Sequence, residues 1–299
     1  MAEIKSLGDG AVKVVMFGGN GYVGQAFQKE LQKRGVTYFA PNSQVLNVLH
    51  YDSVKFVLQE MSPSFVINCA GYTGKPNVDS CETYKEDTKT GNTTVPFNLA
   101  QICDELNIPW AHVSSGCIYN GYDKVFTEED EPNFSFDNPP CSYYSGTKAE
   151  AEKLLTSSDF NCFIWRLRIP FDEFDSPRNY LTKLQNYDIL LNLENSVSHR
   201  EDFVKACLET WASSADYGVY NVVNSESINA RDTVELIRKH LPFNKEVKFM
   251  EDAEKFYETV NAVAPRSNCV LDNSKIQNVY KMRNAYEAIE ESLKNWTKE

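Results

Sequence analysis

Val12-Lys13-Val14-Val15-Met16-Phe17-Gly18-Gly19-Asn20-Gly21-Tyr22-Val23-Gly24 decides the fold. An apolar, β-prone run ends in glycines, and a helical pattern follows over Gln25 to Arg34. The turn satisfies both GxxGxxG and GxGxxG. Glycines at these places allow a tight turn, let the backbone approach a pyrophosphate and let helix and strand pack closely. The phosphate then rests on the helix N-terminus, where unpaired N–H groups converge. Gly18, Gly19, Asn20, Gly21, Tyr22, Val23 and Gly24 are therefore expected to bind a dinucleotide. A mere tight turn is the plain alternative.

Working outward, the first ten residues read as a lead-in. Short apolar strands are expected at Val36 to Phe39, Ser64 to Asn68, Pro109 to Ser114 and Cys162 to Leu167. Helices are expected at Ser53 to Met61, Thr94 to Leu106 and Ser145 to Leu155. Strands alternating with helices predict an α/β fold, a Rossmann-type doubly wound parallel sheet. After about residue 170 helical stretches (Tyr180–Asn186, Glu201–Ser214, Ala230–His240, Ala285–Trp296) are joined by short extended pieces. This predicts a dinucleotide-binding domain over 1–170 and a smaller substrate lobe over 171–299, with some exchange of chain between them. The acidic, proline-containing stretch 126–140 reads as a surface loop able to cover the site.

The 299 residues carry a net charge of -12, which argues against a nucleic-acid binder, since phosphate backbones demand a basic face. A nucleotide substrate needs only a local pocket. No apolar run approaches the roughly 18 residues of a membrane span. Eight scattered cysteines without a CxxC pair, and four histidines without ligand spacing, predict no metal and a reduced, cytoplasmic protein. Seven of the thiols are expected to be buried, and Cys117 is the exception.

Tyr144-Ser145-Gly146-Thr147-Lys148 is a YxxxK, which puts both side chains on one helix face. The lysine charge can stabilise a tyrosinate, so that the tyrosine passes a proton to a carbonyl near neutral pH. Ser115, at the end of the preceding strand, can hydrogen-bond the same oxygen. A solvated helix pair is the plain reading of such a motif. The dinucleotide partner is read as NADPH, with NADH also admitted. No acidic residue in Tyr38-Phe39-Ala40-Pro41-Asn42-Ser43 opposes a 2′-phosphate, and Arg34 is the nearest arginine.

The glycine turn, Ser115, Tyr144 and Lys148 in this order resemble the short-chain dehydrogenase/reductase family. Asn68-Cys69-Ala70-Gly71-Tyr72 is similar to the family stretch that lies against the cofactor, which implies cofactor contacts from Ala70, Gly71 and Tyr72 as well as Tyr144 and Lys148. Asn92 stands in the place of the family's helix asparagine and is assigned to substrate binding. Ala264-Pro265-Arg266-Ser267 resembles the extended branch, close to the dTDP-4-dehydrorhamnose reductases. Longer strings narrow this: Thr73 to Glu82, Ser115-Gly116-Cys117-Ile118-Tyr119, Glu128 to Phe134 and Ser176-Pro177-Arg178-Asn179-Tyr180-Leu181-Thr182-Lys183. They resemble the plant-type bifunctional UDP-4-keto-6-deoxyglucose 3,5-epimerase/4-reductases. His199-Arg200-Glu201-Asp202 matches no such string.

The resemblance implies a second chemistry. Where simple rhamnose-type reductases carry an aspartate and an aromatic, this chain has Gly116 and Cys117. The bifunctional family takes Cys117 as an epimerisation acid/base, with Lys183 as its partner. A thiol of ordinary pKa near ~8.5 can move protons at neutral pH beside a cation. Arg178, Asn179 and Arg266 are expected to hold the pyrophosphate or nucleoside of a UDP- or dTDP-linked 4-keto-6-deoxyhexose. The plain alternatives are a small buried thiol for Cys117, a solvated helix lysine for Lys183 and surface salt bridges for the arginines. Three functions stay open: the bifunctional enzyme, a 4-reductase without epimerase activity, and a non-catalytic regulatory subunit resembling the methionine adenosyltransferase beta subunit. The oligomeric state is open too, a homodimer being among the expectations.

Overall fold

A computed structural model describes residues 13–158 and 160–298 of the chain. The expected lead-in and Val12 lie outside the described residues. Six strands form one parallel sheet: β1 (Val14–Phe17), β2 (Tyr38–Phe39), β3 (Phe65–Asn68), β4 (Trp110–Ser115), β5 (Cys162–Leu167) and β6 (Gly218–Asn221). Their order from edge to edge is β6-β5-β4-β3-β1-β2. Val14 lies opposite both Tyr38 and Phe65. The winding therefore reverses between β1 and β3, and a crevice opens there beyond the carboxyl ends of the strands.

Helices α1 (Tyr22–Lys33), α2 (Tyr51–Met61), α3 (Val95–Glu105) and α4 (Tyr143–Thr156) connect the first five strands, and α5 (Tyr180–Asn186), α6 (Arg200–Ala212), α7 (Ala230–His240) and α8 (Ala285–Lys294) follow. Strand residues alternate between two cores. Val14, Met16, Phe65, Ile67 and Trp165 meet Phe27 and Leu31 of α1 and Phe203 and Leu208 of α6. Val15, Phe17, Val66, Trp110 and Ile164 meet Val54 and Leu58 of α2, Leu99 and Cys103 of α3 and Leu155 of α4. Both faces are covered, so β1 and β3 are buried at every position. That is why their sequences show no polar alternation. The predicted doubly wound sheet is present.

The remainder forms a smaller lobe whose core joins Leu181 and Leu184 of α5, Val234 and Ile237 of α7, and Ala288, Ile289 and Leu293 of α8. A cut at residue 170 does not separate the two units cleanly. Both β6 and α6 come from beyond it, and they complete the sheet and cover one of its faces.

The stretch 126–140 departs from a plain surface loop. Phe126 and Phe134 are buried, and Phe126 stacks on Tyr119 at 4.6 Å between ring centroids. The Tyr119 hydroxyl donates to the Asp130 carbonyl at 2.6 Å. These aromatics pull the loop down while Glu129 and Glu131 stay exposed. Of the seven thiols expected inside, Cys81, Cys103, Cys162, Cys207 and Cys269 are buried, whereas Cys69 and Cys141 are only half-buried. Among the described residues no helix is long and apolar enough to cross a membrane.

Candidate active site

The glycine turn joins β1 to α1 at the switch point. Gly18 has φ +76°, and a Cβ there would lie 2.4 Å from the Ala70 nitrogen. A Cβ on Gly24 would lie 2.2 Å from the Gly18 carbonyl oxygen, so turn, helix and β3 pack too closely for any side chain. Gly21 caps α1 without a side-chain hydrogen bond, and the first turn of the helix holds no acid. With no side-chain cap and no acid there, this helix start suits an anion such as a bound pyrophosphate. The Asn68 side chain accepts the Ala70 N–H at 3.0 Å and so fixes the path of Ala70, Gly71 and Tyr72 past the turn. These residues fit a dinucleotide. Arg34 is committed elsewhere, to Glu30 at 2.7 Å and Glu209 at 3.7 Å.

Ser115 ends β4, and Tyr144 and Lys148 lie one turn apart on α4. Ser142 caps that helix, accepting the Ser145 N–H at 3.1 Å. The Lys148 ammonium is buried and donates to the Val113 carbonyl at 3.2 Å. Burial pulls its pKa down to about 8, against the opposing pull of Glu152. Burial first, and then Cys117, push the Tyr144 phenol up, while a hydrogen bond with Ser115 opposes them. The resting phenol therefore keeps its proton, the state a proton donor needs. Beneath, Glu152 takes two nitrogens of Arg166 at 2.9 and 2.7 Å and the Ser114 hydroxyl at 2.5 Å. Each member of this buried charged group has its partners.

A cavity of about 290 Å³ opens beside the tyrosine, lined by Cys117, Tyr144, Arg168, Lys183, Asn195 and Arg266 and walled by Tyr180, Leu184, Tyr187 and Leu190. Cys117 comes from the 3₁₀ turn Gly116–Ile118 that follows β4, and its N–H donates to the Ser115 Oγ at 3.2 Å. Lys183 comes from α5, in the other lobe. Burial, then repulsion from Arg178 and Arg266, pull its pKa down. Arg266 pairs with Asp79 at 2.7 Å. Arg178 stands outside the lining and donates to the Gly74 carbonyl at 2.9 Å. No residue of 126–140 lines this cavity, although Phe136 of that loop packs against α4 at Gly146 and lies 5.3 Å from the Tyr143 ring.

Two residues expected at the substrate do not line the cavity. Asn92 is fully buried in the π-helical turn Thr90–Thr94, with its amide spent on the Tyr72 backbone and the Thr147 hydroxyl. Asn179 is also fully buried. It caps α5 by accepting the Leu181 N–H at 2.9 Å, and its amide nitrogen serves Asp172 and Phe174. Sequence reasoning missed Arg168, which is 2% exposed just past β5. The available signal was an arginine following an apolar strand at the carboxyl edge of a parallel sheet, where ligands bind. It also missed Arg200. Paired with Asp172, Arg200 donates to the Tyr22 carbonyl at 2.9 Å and lies 4.2 Å over the Tyr22 ring, tying α6 to the glycine turn.

A doubly wound sheet, a glycine turn at its switch point and a Ser–Tyr–Lys set at the neighbouring strand end define the extended short-chain dehydrogenase/reductase class. Within it the chain belongs to the RmlD substrate-binding domain family, whose model matches residues 12–298. It is 31% identical over 279 residues to a trifunctional UDP-glucose 4,6-dehydratase/UDP-4-keto-6-deoxy-D-glucose 3,5-epimerase/UDP-4-keto-L-rhamnose-reductase of Arabidopsis thaliana, covering 89% of this chain and 39% of that protein. The chain thus spans well under half of that relative's length. It is 29% identical to the bifunctional dTDP-4-dehydrorhamnose 3,5-epimerase/dTDP-4-dehydrorhamnose reductase of the same plant, covering 93% of this chain and 90% of that one. The solved structure of the L780 UDP-rhamnose synthase from Acanthamoeba polyphaga mimivirus superposes with a TM-score of 0.86 at 25% identity, covering 96% of this chain and 100% of that one.

Proposed function

We propose that this chain is a nucleotide-sugar 3,5-epimerase/4-reductase, which converts a nucleotide-linked 4-keto-6-deoxyglucose to the nucleotide-L-rhamnose with NADPH or NADH. One observation carries the reading. Tyr144, Cys117 and Lys183 share the wall of one cavity, and Ser115 ends β4 beside it, its Oγ accepting the Cys117 N–H. A reductase alone needs only the serine, tyrosine and lysine of β4 and α4. A thiol and a second lysine facing the same space supply the acid/base pair that inversion requires. The names of the two plant relatives, each pairing epimerase with reductase, support the same reading.

Inversion comes first, because the C4 ketone acidifies the protons on C3 and C5. Cys117 accepts one such proton, and the C–H electron pair moves into the carbonyl to give an enolate. Ser115 and Tyr144 donate hydrogen bonds to its oxygen. The Lys183 ammonium returns a proton to the opposite face of the same carbon, and the ketone re-forms. Cys117 then loses its proton to solvent and Lys183 regains one. In the second reaction C4 receives the hydride that NADPH supplies when bound. Tyr144 gives its proton to the C4 oxygen, and the neighbouring Lys148 charge stabilises the tyrosinate left behind.

Gly18 to Gly24, with Ala70, Gly71 and Tyr72, would hold the dinucleotide, and Arg266, backed by Arg178, the sugar nucleotide's pyrophosphate. NADPH is preferred because no carboxylate follows β2 to repel a 2′-phosphate. The first half of the chain would then serve the cofactor and the second half the sugar nucleotide. The test is NMR identification of the product after incubation with UDP-4-keto-6-deoxyglucose and NADPH. A rhamnosyl nucleotide is expected. A reduced sugar with C3 and C5 unchanged would leave a plain 4-reductase, and no turnover would leave a non-catalytic subunit.

A further inference from the structure

Arg166 and Arg168 leave the end of β5 two residues apart, and both are buried, at 3% and 2% exposure. Their charges are answered differently. Arg166 lies against the Glu152 carboxylate at 2.7 Å. Arg168 has no ion pair with a carboxylate among the described residues. One of its terminal nitrogens donates to the Cys117 sulfur at 2.9 Å, and the other to the Asn195 amide oxygen and, at 2.7 Å, to the Ser267 carbonyl. Its Nε has no hydrogen-bond partner, although it is buried.

A guanidinium cannot shed its proton in a protein, so it cannot relieve its burial by becoming neutral. A buried charge left without a counter-charge is costly, and a neighbour that can become an anion relieves that cost. The Cys269 thiol also lies near the Arg168 charge, but burial pushes it up and it does not line the cavity. Of the three groups that accept hydrogen bonds from Arg168, the amide and the carbonyl cannot ionise. The Cys117 thiol can. It is also the only one of the three that this reading of the site uses chemically.

We propose that Arg168 is a positioning residue for ring-carbon inversion: its guanidinium, hydrogen-bonded to the Cys117 sulfur, holds that sulfur on the cavity wall and is its counter-charge whenever it is a thiolate. The arrangement rests on the epimerase reading and deepens it. Arg168 is itself fixed by Asn195, whose side chain also accepts the Cys269 N–H at 3.2 Å and donates to Asn268 at 3.1 Å. The sulfur is thus held in direction as well as in charge. When it accepts a proton from C3 or C5, the thiolate becomes a thiol and the negative charge passes to the enolate oxygen. The pairing returns when that proton leaves to solvent.

The test compares wild type with Arg168→Met, Arg168→Lys and Asn195→Asp at one fixed pH. The last variant offers Arg168 a carboxylate in place of an amide and so draws its charge away from the sulfur with little change of shape. The first readout is the rate at which iodoacetamide alkylates Cys117, followed by peptide mass, because only the thiolate displaces iodide. The second is solvent deuterium entering C3 and C5 of the 4-keto-6-deoxyglucosyl nucleotide, set against NADPH-dependent reduction of an already epimerised 4-keto-rhamnosyl nucleotide. Arg168→Met and Asn195→Asp are expected to slow alkylation about tenfold or more. They should depress deuterium entry at least about tenfold further than reduction, and Arg168→Lys should recover part of both. Unchanged alkylation in Asn195→Asp overturns the proposal even if Arg168→Met does not fold. Exchange and reduction falling in parallel, with alkylation preserved, also overturns it and leaves Arg168 a packing residue. If alkylation depends on Arg168 but wild type takes up no deuterium, the epimerase reading fails while the pairing stands. If wild type exchanges deuterium and Arg168→Met exchanges it equally fast, the pairing fails while the epimerase reading stands.

Discussion

Asn92 grips the backbone of Tyr72 at both of its polar groups, accepting the N–H at 2.8 Å and donating to the carbonyl at 2.9 Å. The same amide reaches the Thr147 hydroxyl at 3.2 Å. It thus clamps the segment after β3, the π-helical turn before α3 and the helix of Tyr144 to one another. Such turns inside helices recur at functional sites, and here the wider turn carries the clamp. Replacing Asn92 by Ala leaves backbone groups without partners and is expected to destabilise the fold by about 1–3 kcal/mol. It should weaken NADPH binding, read by fluorescence titration, more than it raises KM for the sugar nucleotide. A variant with unchanged cofactor affinity would show that the clamp has no bearing on that side of the site.

Tyr144→Phe removes the proton donor to the C4 oxygen. Turnover of an epimerised 4-keto substrate should fall by about 10²- to 10⁴-fold, with NADPH affinity largely kept. Stopped-flow NADPH oxidation beside a cofactor titration separates the two effects. Turnover equal to wild type would remove Tyr144 from the chemistry.

Cys117→Ser changes the shape of the site little but replaces the thiol with a group too weakly acidic to take a ring-carbon proton and return it at neutral pH. The variant should still reduce a 4-keto-rhamnosyl nucleotide. It should make no rhamnosyl product from the 4-keto-6-deoxyglucosyl nucleotide, and solvent deuterium should no longer enter C3 and C5 by NMR. Deuterium entry at the wild-type rate would remove Cys117 from the inversion and leave it a half-buried thiol on the cavity wall.

The pH profile of reduction should bend downward above about pH 8, where buried Lys148 gives up the charge that supports the tyrosinate. Loss of fold can be told apart by its sign. Between about pH 8 and the ordinary lysine value of 10.5, the unfolded chain binds more protons at this residue than the folded one. On its own, then, Lys148 makes the fold more stable as pH rises through that window. A declining rate with unfolding midpoints that do not decline alongside it reports the titration. A flat profile through pH 9 would show that the charge is not needed.

The strand–glycine–helix passage from Val14 to Lys33 and the helical spacing of Tyr144 and Lys148 were legible in the sequence, because turns and helix faces are local and a few residues suffice to dictate them. The same holds for the apolar strands of a sheet covered on both sides. Cys117 and Lys183 were nominated through a resemblance, since a small thiol and a helix lysine carry no local signature of their own. What only the tertiary structure decided is where side chains find partners far along the chain. Asn92 and Asn179 were expected at substrate and instead bond backbone and side-chain groups of the fold, and Phe126 and Phe134 draw an acidic loop down onto the core. Arg166 and Arg168 look equivalent in sequence. One lies against Glu152 and the other against Cys117, because alternate residues at the end of a parallel strand pass from the sheet's interior into the crevice at its edge, and the neighbours waiting there come from β4, α4 and the far lobe.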